Sequence, residues 1–169
     1  MNRIIYMVFM NLFHAPVWLF TIGRMGREKD RHTPQERHEY IAKMVQRIIR
    51  RGRVTVTATG TENIPDNNGF ILFPNHQGLF DMLALYSTCP KPLSVVIKRE
   101  AAGWILVKQV LAATRSLSMD RSDIKDQVRI INEVTRRVKA GCNFVIFPEG
   151  HRSRSENKIL DFKSGTFKS

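Results

Sequence analysis

The sequence predicts an α/β fold, a mostly parallel or mixed sheet flanked by helices, preceded by an N-terminal membrane-binding segment of two helices. Three observations point there. From Arg53 onward, short apolar runs alternate with helical periodicities, the pattern of strands joined by crossover helices. Polar clusters follow three of those apolar runs directly, where open α/β sheets place their ligands. Before Arg53 lie a 20-residue uncharged run and a basic amphipathic stretch. The expected organisation is therefore residues 1–52 for membrane association and 53–169 for a catalytic domain.

The uncharged run, Ile4 to Gly23, reads IIYMVFMNLFHAPVWLFTIG. Its length suits a bilayer span, but Asn11, His14 and Pro16 weaken a simple spanning helix. Arg24, Arg27, Lys29 and Arg31 come directly after it, and no small-residue cleavage pattern follows, which argues against a signal peptide. Tyr6, Trp18 and Phe20 near the ends and the basic flank suit a membrane-inserted segment, spanning or interfacial. The positive-inside rule then puts everything after Gly23 in the cytoplasm. A core helix is the alternative.

Thr33-Pro34-Gln35-Glu36 is a capping box with proline at the first helical position. Tyr40, Ile41, Met44, Val45, Ile48 and Ile49 then recur at helical spacing, with Lys43, Arg47, Arg50 and Arg51 opposite. Two readings stay open: a surface helix packed on a domain, or a basic helix lying on anionic headgroups.

In the second region, 54–59 alternates β-branched residues and predicts a strand. Pro65 to Gly69 is a turn. Phe70 to Phe73 predicts a short buried strand, 80–87 a helix, 93–97 a strand, 104–113 a helix and 116–119 a short strand. Ser122 is a candidate N-cap for a helix carrying the stripe Ile124, Val128, Ile131, Val134 and Val138, stopped at Gly141. Residues 143–147 predict a buried strand ending at Pro148.

The charge balance adds a partner. Lys and Arg number 27 against 15 Asp and Glu, a net +12 over 169 residues. Residues 1–53 hold 11 against 4, and the rest 16 against 11. Such a chain suits an anion: nucleic acid, an anionic lipid surface or a phosphorylated substrate. Nucleic acid leaves the apolar run unexplained, and no zinc, helix-turn-helix or aromatic–basic pattern supports it. Cys89 and Cys142 have neither metal-type spacing nor the number for a disulfide framework, so two reduced thiols are expected.

The clusters carry the chemistry. His76 leaves the end of one strand, and Asp81 sits five residues on, near the first turn of the next helix. A tight turn brings the carboxylate onto one imidazole nitrogen and leaves the other as a general base. Without a serine or cysteine nucleophile beside them, the nucleophile is a substrate hydroxyl, which fits acyl transfer to an alcohol. A helix cap by Asp81 and a structural His76 are the alternative. After the most apolar strand comes Phe147-Pro148-Glu149-Gly150-His151-Arg152-Ser153-Arg154. There Gly150 permits an unusual turn, Arg152 suits a bidentate phosphate clamp and Ser153 offers a hydroxyl. Lys98 and Arg121 are further candidate phosphate contacts, each also readable as an ordinary surface cation.

The pattern Asn75-His76-x-x-x-x-Asp81 with Phe147-Pro148-Glu149-Gly150-x-Arg152-Ser153 resembles the glycerolipid acyltransferases, in particular 1-acyl-glycerol-3-phosphate acyltransferases. Lys98-x-Glu100 and Asp120-Arg121 resemble that family's second block, and the likeness runs from about Val54 to Lys168. It implies His76 as the general base on the free hydroxyl of a lysophosphatidate and Asp81 as its orienter. The acyl donor would be a thioester of acyl carrier protein or coenzyme A, and the product phosphatidate. It implies Lys98 and Arg152 on the acceptor phosphate, Asn75, Glu100, Glu149, Gly150 and Ser153 shaping the site, and no metal or cofactor. Membrane lipids are the implied partners, at the cytoplasmic face of the inner membrane. The sequence departs from the family at His151, where threonine is usual, and at Ala101-Ala102-Gly103-Trp104, which lacks the usual proline. A fourth block of the V-P-V type is expected after Phe167, so the C-terminal part of the domain is expected to be missing. Two alternatives therefore accompany the reading: glycerol-3-phosphate as acceptor, and a catalytically inactive, membrane-bound lipid-binding relic.

Overall fold

The computed structural model describes residues 3–28, 30–153 and 159–163. Three helices come first: α1 (Arg3–Asn11), α2 (Ala15–Arg27) and α3 (Pro34–Arg51). Strands and helices then alternate as β1 (Ile71–Leu72), α4 (Asp81–Thr88), β2 (Ser94–Lys98), α5 (Ile105–Thr114), β3 (Leu117–Met119), α6 (Ile124–Lys139) and β4 (Phe144–Val145). The four strands form one sheet in the order β1-β4-β2-β3, and every pairing is parallel. In a parallel sheet all carboxyl ends share one edge, so the segments after β1, β2, β3 and β4 gather there.

Both faces of the sheet are covered, as parallel sheets require. Side chains alternate along a strand, and β1, β2 and β4 feed two cores. Val95 and Val145 join Trp18, Ile22, Ile41, Val45, Tyr86 and Ala113 from α2, α3, α4 and α5. Val96 and Phe144 face the other way, onto Ile130 and Val134 of α6.

The uncharged N-terminal run breaks where its polar residues stand. No single helix among the described residues is long and apolar enough to cross a membrane. Instead α1 and α2 meet at a bend of 86°. Pro16 sits in the first turn of α2, where its missing N–H costs nothing. Asn11 is buried and donates to the Met7 carbonyl at 2.7 Å. One side of the pair is sealed against the protein through Met7, Trp18 and Ile22. The other side leaves Ile5, Val8, Phe9, Leu12, Phe13, Val17 and Phe20 exposed, Phe13 at 91%.

The capping box of α3 is present in both directions: Glu36 N–H donates to Thr33 Oγ1 at 3.1 Å, and Thr33 N–H to Glu36 Oε2 at 2.6 Å. Its apolar side belongs to the protein core, so only the basic side of α3 remains for solvent or an anionic surface. Buried His38 ties α3 to the end of α4 through the Cys89 carbonyl at 2.8 Å. Cys89 and Cys142 are free thiols.

Three further expectations need correction. Residues 54–59 form no strand. Val54 and Val56 do pack on the core while Thr55 and Thr57 are exposed. Alternation therefore reported one-sided burial, but no ladder partner lies alongside among the described residues. On α6 the expected stripe is misplaced at its start: Ile124 and Val128 are 75% and 56% exposed, while Asp126, Ile130 and Val134 face inward. A charged residue on the buried side defeats a periodicity count. Asp123, not Ser122, caps this helix, accepting from Lys125 N–H at 2.8 Å. Its end is as expected. Gly141 takes φ +84°, with Gly141 N–H bonded to Val138 O and Cys142 N–H to Arg137 O, both at 2.9 Å. That is a Schellman stop.

Candidate active site

β1 and β4 are neighbours, so Pro74-Asn75-His76 and Phe147-Pro148-Glu149 leave the sheet side by side. Asp81 opens α4 with its carboxylate turned back on the preceding loop. Its Oδ2 accepts Gln77 N–H at 2.9 Å and Gly78 N–H at 3.0 Å, and Oδ1 accepts Gly78 N–H at 3.1 Å. So fixed, Oδ2 lies 2.7 Å from His76 Nδ1. A carboxylate only accepts, so Nδ1 carries the proton and Nε2 keeps its lone pair. The two side chains are 20% and 18% exposed. The imidazole stacks on Phe147 with ring centroids 4.1 Å apart. Asp81 thus supports the preceding loop and orients His76 with one carboxylate, but it does not cap α4: Phe80 is the N-cap and no side chain caps that helix.

Glu149 is fully buried. Its Oε1 accepts His76 N–H at 2.7 Å and its Oε2 accepts Leu160 N–H at 3.2 Å. Ser153 N–H closes the link from the other side, donating to the His76 carbonyl at 2.9 Å. The His76 backbone is therefore clamped at both its N–H and its C=O by the Glu149–Ser153 loop. Gly150, at φ +77°, turns that loop through a region that side chains resist. A Cβ at Gly150 would stand 3.2 Å from Lys163 Cε, so the absent side chain admits the lysine. Ser153 is buried, whereas Asn75, His151 and Arg152 are exposed. The Arg152 guanidinium has no partner among the described residues.

The β2–β3 half of the edge holds the other cations. Lys98 pairs with Glu100 at 2.8 Å, both well exposed, and that lysine holds the Glu100 carboxyl below its usual range. Arg121 follows β3 with a buried Nε that has no hydrogen-bond partner among the described residues. Burial pushes its guanidinium pKa down, which the Glu100 charge partly offsets. The two loops are joined beneath by Asp126, a residue not singled out from the sequence. Asp126 accepts from Asp120 N–H at 2.8 Å, Arg99 at 2.9 Å and Arg129 at 2.7 Å. These bonds, led by that from Asp120 N–H, lower its pKa. Among the described residues no three His, Cys, Asp or Glu side chains converge as a metal would require.

Two further roles, those of Glu149 and Phe147, went unrecognised in the sequence. Glu149 was expected to shape a substrate floor, and its brace on His76 joins positions 73 residues apart. The Phe147 stack follows from β1–β4 adjacency, which no local pattern encodes.

This geometry can be set beside known proteins. A family model described as Acyltransferase matches residues 53–169. The chain belongs to the acyltransferase family. Similar relatives include the 1-acyl-sn-glycerol-3-phosphate acyltransferase of Cocos nucifera, 32% identical over 111 residues, covering 65% of this chain and 35% of the relative. The enzyme of that name from Helicobacter pylori is 29% identical over 100 residues, covering 59% and 42%. The alpha form from Homo sapiens is 26% identical over 117 residues, covering 68% and 40%. This chain thus spans well under half the length of these curated relatives. The crystal structure of the 1-acyl-sn-glycerophosphate acyltransferase PlsC from Thermotoga maritima superposes with a TM-score of 0.71 at 23% identity, covering 99% of this chain and 69% of that one. It shares the fold.

Proposed function

We propose that this acyltransferase moves a fatty acyl group from a thioester donor to the free hydroxyl of 1-acyl-glycerol-3-phosphate, giving phosphatidate. The observation that carries the reading is the His76–Asp81 pair, 2.7 Å apart at the carboxyl edge of the sheet. Nδ1 is spent on Asp81, so Nε2 takes the proton of the acceptor hydroxyl as its oxygen attacks the thioester carbonyl. The carboxylate stabilises the imidazolium that forms. When the tetrahedral intermediate collapses, the C–S bond breaks and the imidazolium returns its proton to the departing thiolate. Atoms and charge balance without any cofactor. Arg121 and Arg152 offer guanidinium forks to the acceptor phosphate, and Lys98 a third cation. Arg121's unpartnered Nε favours this assignment.

Acyl carrier protein and coenzyme A both present the required thioester. The exposed apolar side of α1 and α2, beside Arg24 and Arg31, suits the cytoplasmic face of the cell membrane, with α1–α2 lying in the interface. That places the chain where its acceptor and product reside.

The test incubates purified protein and an acyl-thioester with either 1-acyl-glycerol-3-phosphate or glycerol-3-phosphate and identifies the product by mass spectrometry. Phosphatidate from the first supports the reading. Acylation of glycerol-3-phosphate alone reassigns the acceptor. Vesicle binding with no transfer to either contradicts an active enzyme.

A further inference from the structure

The amino edge of the sheet, opposite His76, holds a second concentration of cations. A cavity of about 1000 Å³ opens there, reached by Ser94 at the start of β2, Ser116 before β3 and Asn143 before β4. Four helices bring arginines to its wall: Arg27 from α2, Arg37 from α3, Arg115 at the end of α5, and Arg136 and Arg137 from α6. Among the described residues Asp30 is the single carboxylate in the wall. Glu133, just outside it, takes Arg136 at 2.8 Å and Arg137 at 2.6 Å. Among the described residues five guanidiniums thus meet two carboxylates. Arg37 is 3% exposed, and burial and the Arg115 charge, in that order, push its pKa down.

Cations at helix C-termini are ordinary, because they complement the negative end of the dipole. That accounts for Arg27, Arg115, Arg136 and Arg137 one at a time, and for Arg137 donating to the Arg115 carbonyl at 2.7 Å. It does not account for their convergence with buried Arg37, from the first turns of α3, on a single hollow. Like charges gathered in a partly enclosed site raise one another's energy, and a bound anion relieves this. Arg115 and Arg27 have no carboxylate partner among the described residues. The rest of the wall is apolar at Leu93 and Leu111. The volume matches the upper range of small-molecule sites, about 300–1000 Å³, and far exceeds a bare phosphate.

We propose that this cavity is a second, non-catalytic anion site, which takes a phosphate or pyrophosphate group carried on an organic body. The carrier is a soluble phosphorylated metabolite or a phospholipid headgroup, and the site's chemistry is common to both. The site also gives part of the N-terminal charge excess a destination other than the membrane face: Arg27 and Arg37 belong to it.

The test uses the full chain and two probes, inorganic pyrophosphate by titration calorimetry and phosphatidylglycerol–phosphatidylcholine vesicles by flotation. The variants are Arg27→Gln combined with Arg115→Asn, and Arg152→Gln on the catalytic edge. Asparagine is chosen at 115 because φ there is +53°, which Asn tolerates. Loss of one probe's binding by about 10-fold or more in the double variant, with that binding retained in Arg152→Gln, supports the site. Pyrophosphate loss identifies a soluble ligand, and vesicle loss alone a headgroup. Acyl transfer at saturating substrate stays at the wild-type rate in the double variant, which separates this site from the catalytic reading. Should the double variant not fold by circular dichroism, Arg27→Gln alone, exposed on α2, is expected to weaken the same probe. Wild-type affinity for both probes in the folded variants, no binding of either probe to wild type, or loss of all binding in Arg152→Gln would overturn the proposal.

Discussion

The two halves of the sheet's carboxyl edge are built differently. On the β1–β4 side, His76 is fixed at its ring by Asp81, at its face by Phe147, at its N–H by Glu149 and at its C=O by the Ser153 N–H. On the β2–β3 side, Lys98 is held by an exposed ion pair, Arg99 by Asp120 and the buried Asp126, and Arg121 has a buried Nε–H without a partner among the described residues. The first half is complete before substrate arrives. The second keeps donors in reserve. That division suits a reaction whose base must be placed to within fractions of an ångström, while its anion clamp must accept and release a charged group.

Substitutions can break or sharpen this contrast. On the rigid side Asp81→Asn has the largest effect of this group. It removes the charge that stabilises the imidazolium and replaces an acceptor with an amide, so kcat falls about 100-fold with little change in KM for the acceptor, read by steady-state acyl transfer. Glu149→Gln follows. An amide cannot accept from both His76 N–H and Leu160 N–H, and losing one charged, buried hydrogen bond costs about 1.5–3 kcal/mol. Both kcat and the thermal midpoint fall. If Glu149 instead only contacted substrate, KM would rise and the midpoint would hold.

The adaptable side gives the opposite kinetic signature. Arg121→Ala raises KM for the phosphorylated acceptor about 10-fold or more and leaves kcat nearly intact, since the base is untouched. The smallest effect concerns Asp126. Its folded pKa lies below the ordinary 3.8, so its contribution to stability is present above that pH and is lost as pH falls through the depressed value. The stability difference between wild type and Asp126→Asn, measured by denaturant unfolding, shrinks in acid below pH 3.8 and is constant above it.

The sequence made the proposed catalytic pair legible because everything it needs is local. His76 and Asp81 lie five residues apart across one strand-to-helix turn. The helices were legible for the same reason: Thr33 and Glu36 cap α3, and Gly141 stops α6. What escaped depended on strand order. Glu149 reaches His76 only because β4 inserts beside β1, and Asp126 reaches Arg99 only because β3 lies beside β2. The arginines at the amino edge come from four helices and share no motif. Residues 54–59 misled for a related reason, since burial of Val54 and Val56 alternates as in a strand although no neighbour pairs with them. The N-terminal run showed its interruption at Asn11, His14 and Pro16, but the 86° bend and the division into covered and exposed sides needed the packing of α2 on α5.

The most direct test of the central claim is kcat/KM for acyl transfer from a thioester to 1-acyl-glycerol-3-phosphate by His76→Ala, on protein shown by circular dichroism to be folded. With Nε2 of His76 as the base, the value falls about 10²–10⁴-fold while binding of the acceptor, followed by calorimetry, is retained. A folded His76→Ala variant that transfers acyl groups at the wild-type rate would contradict it.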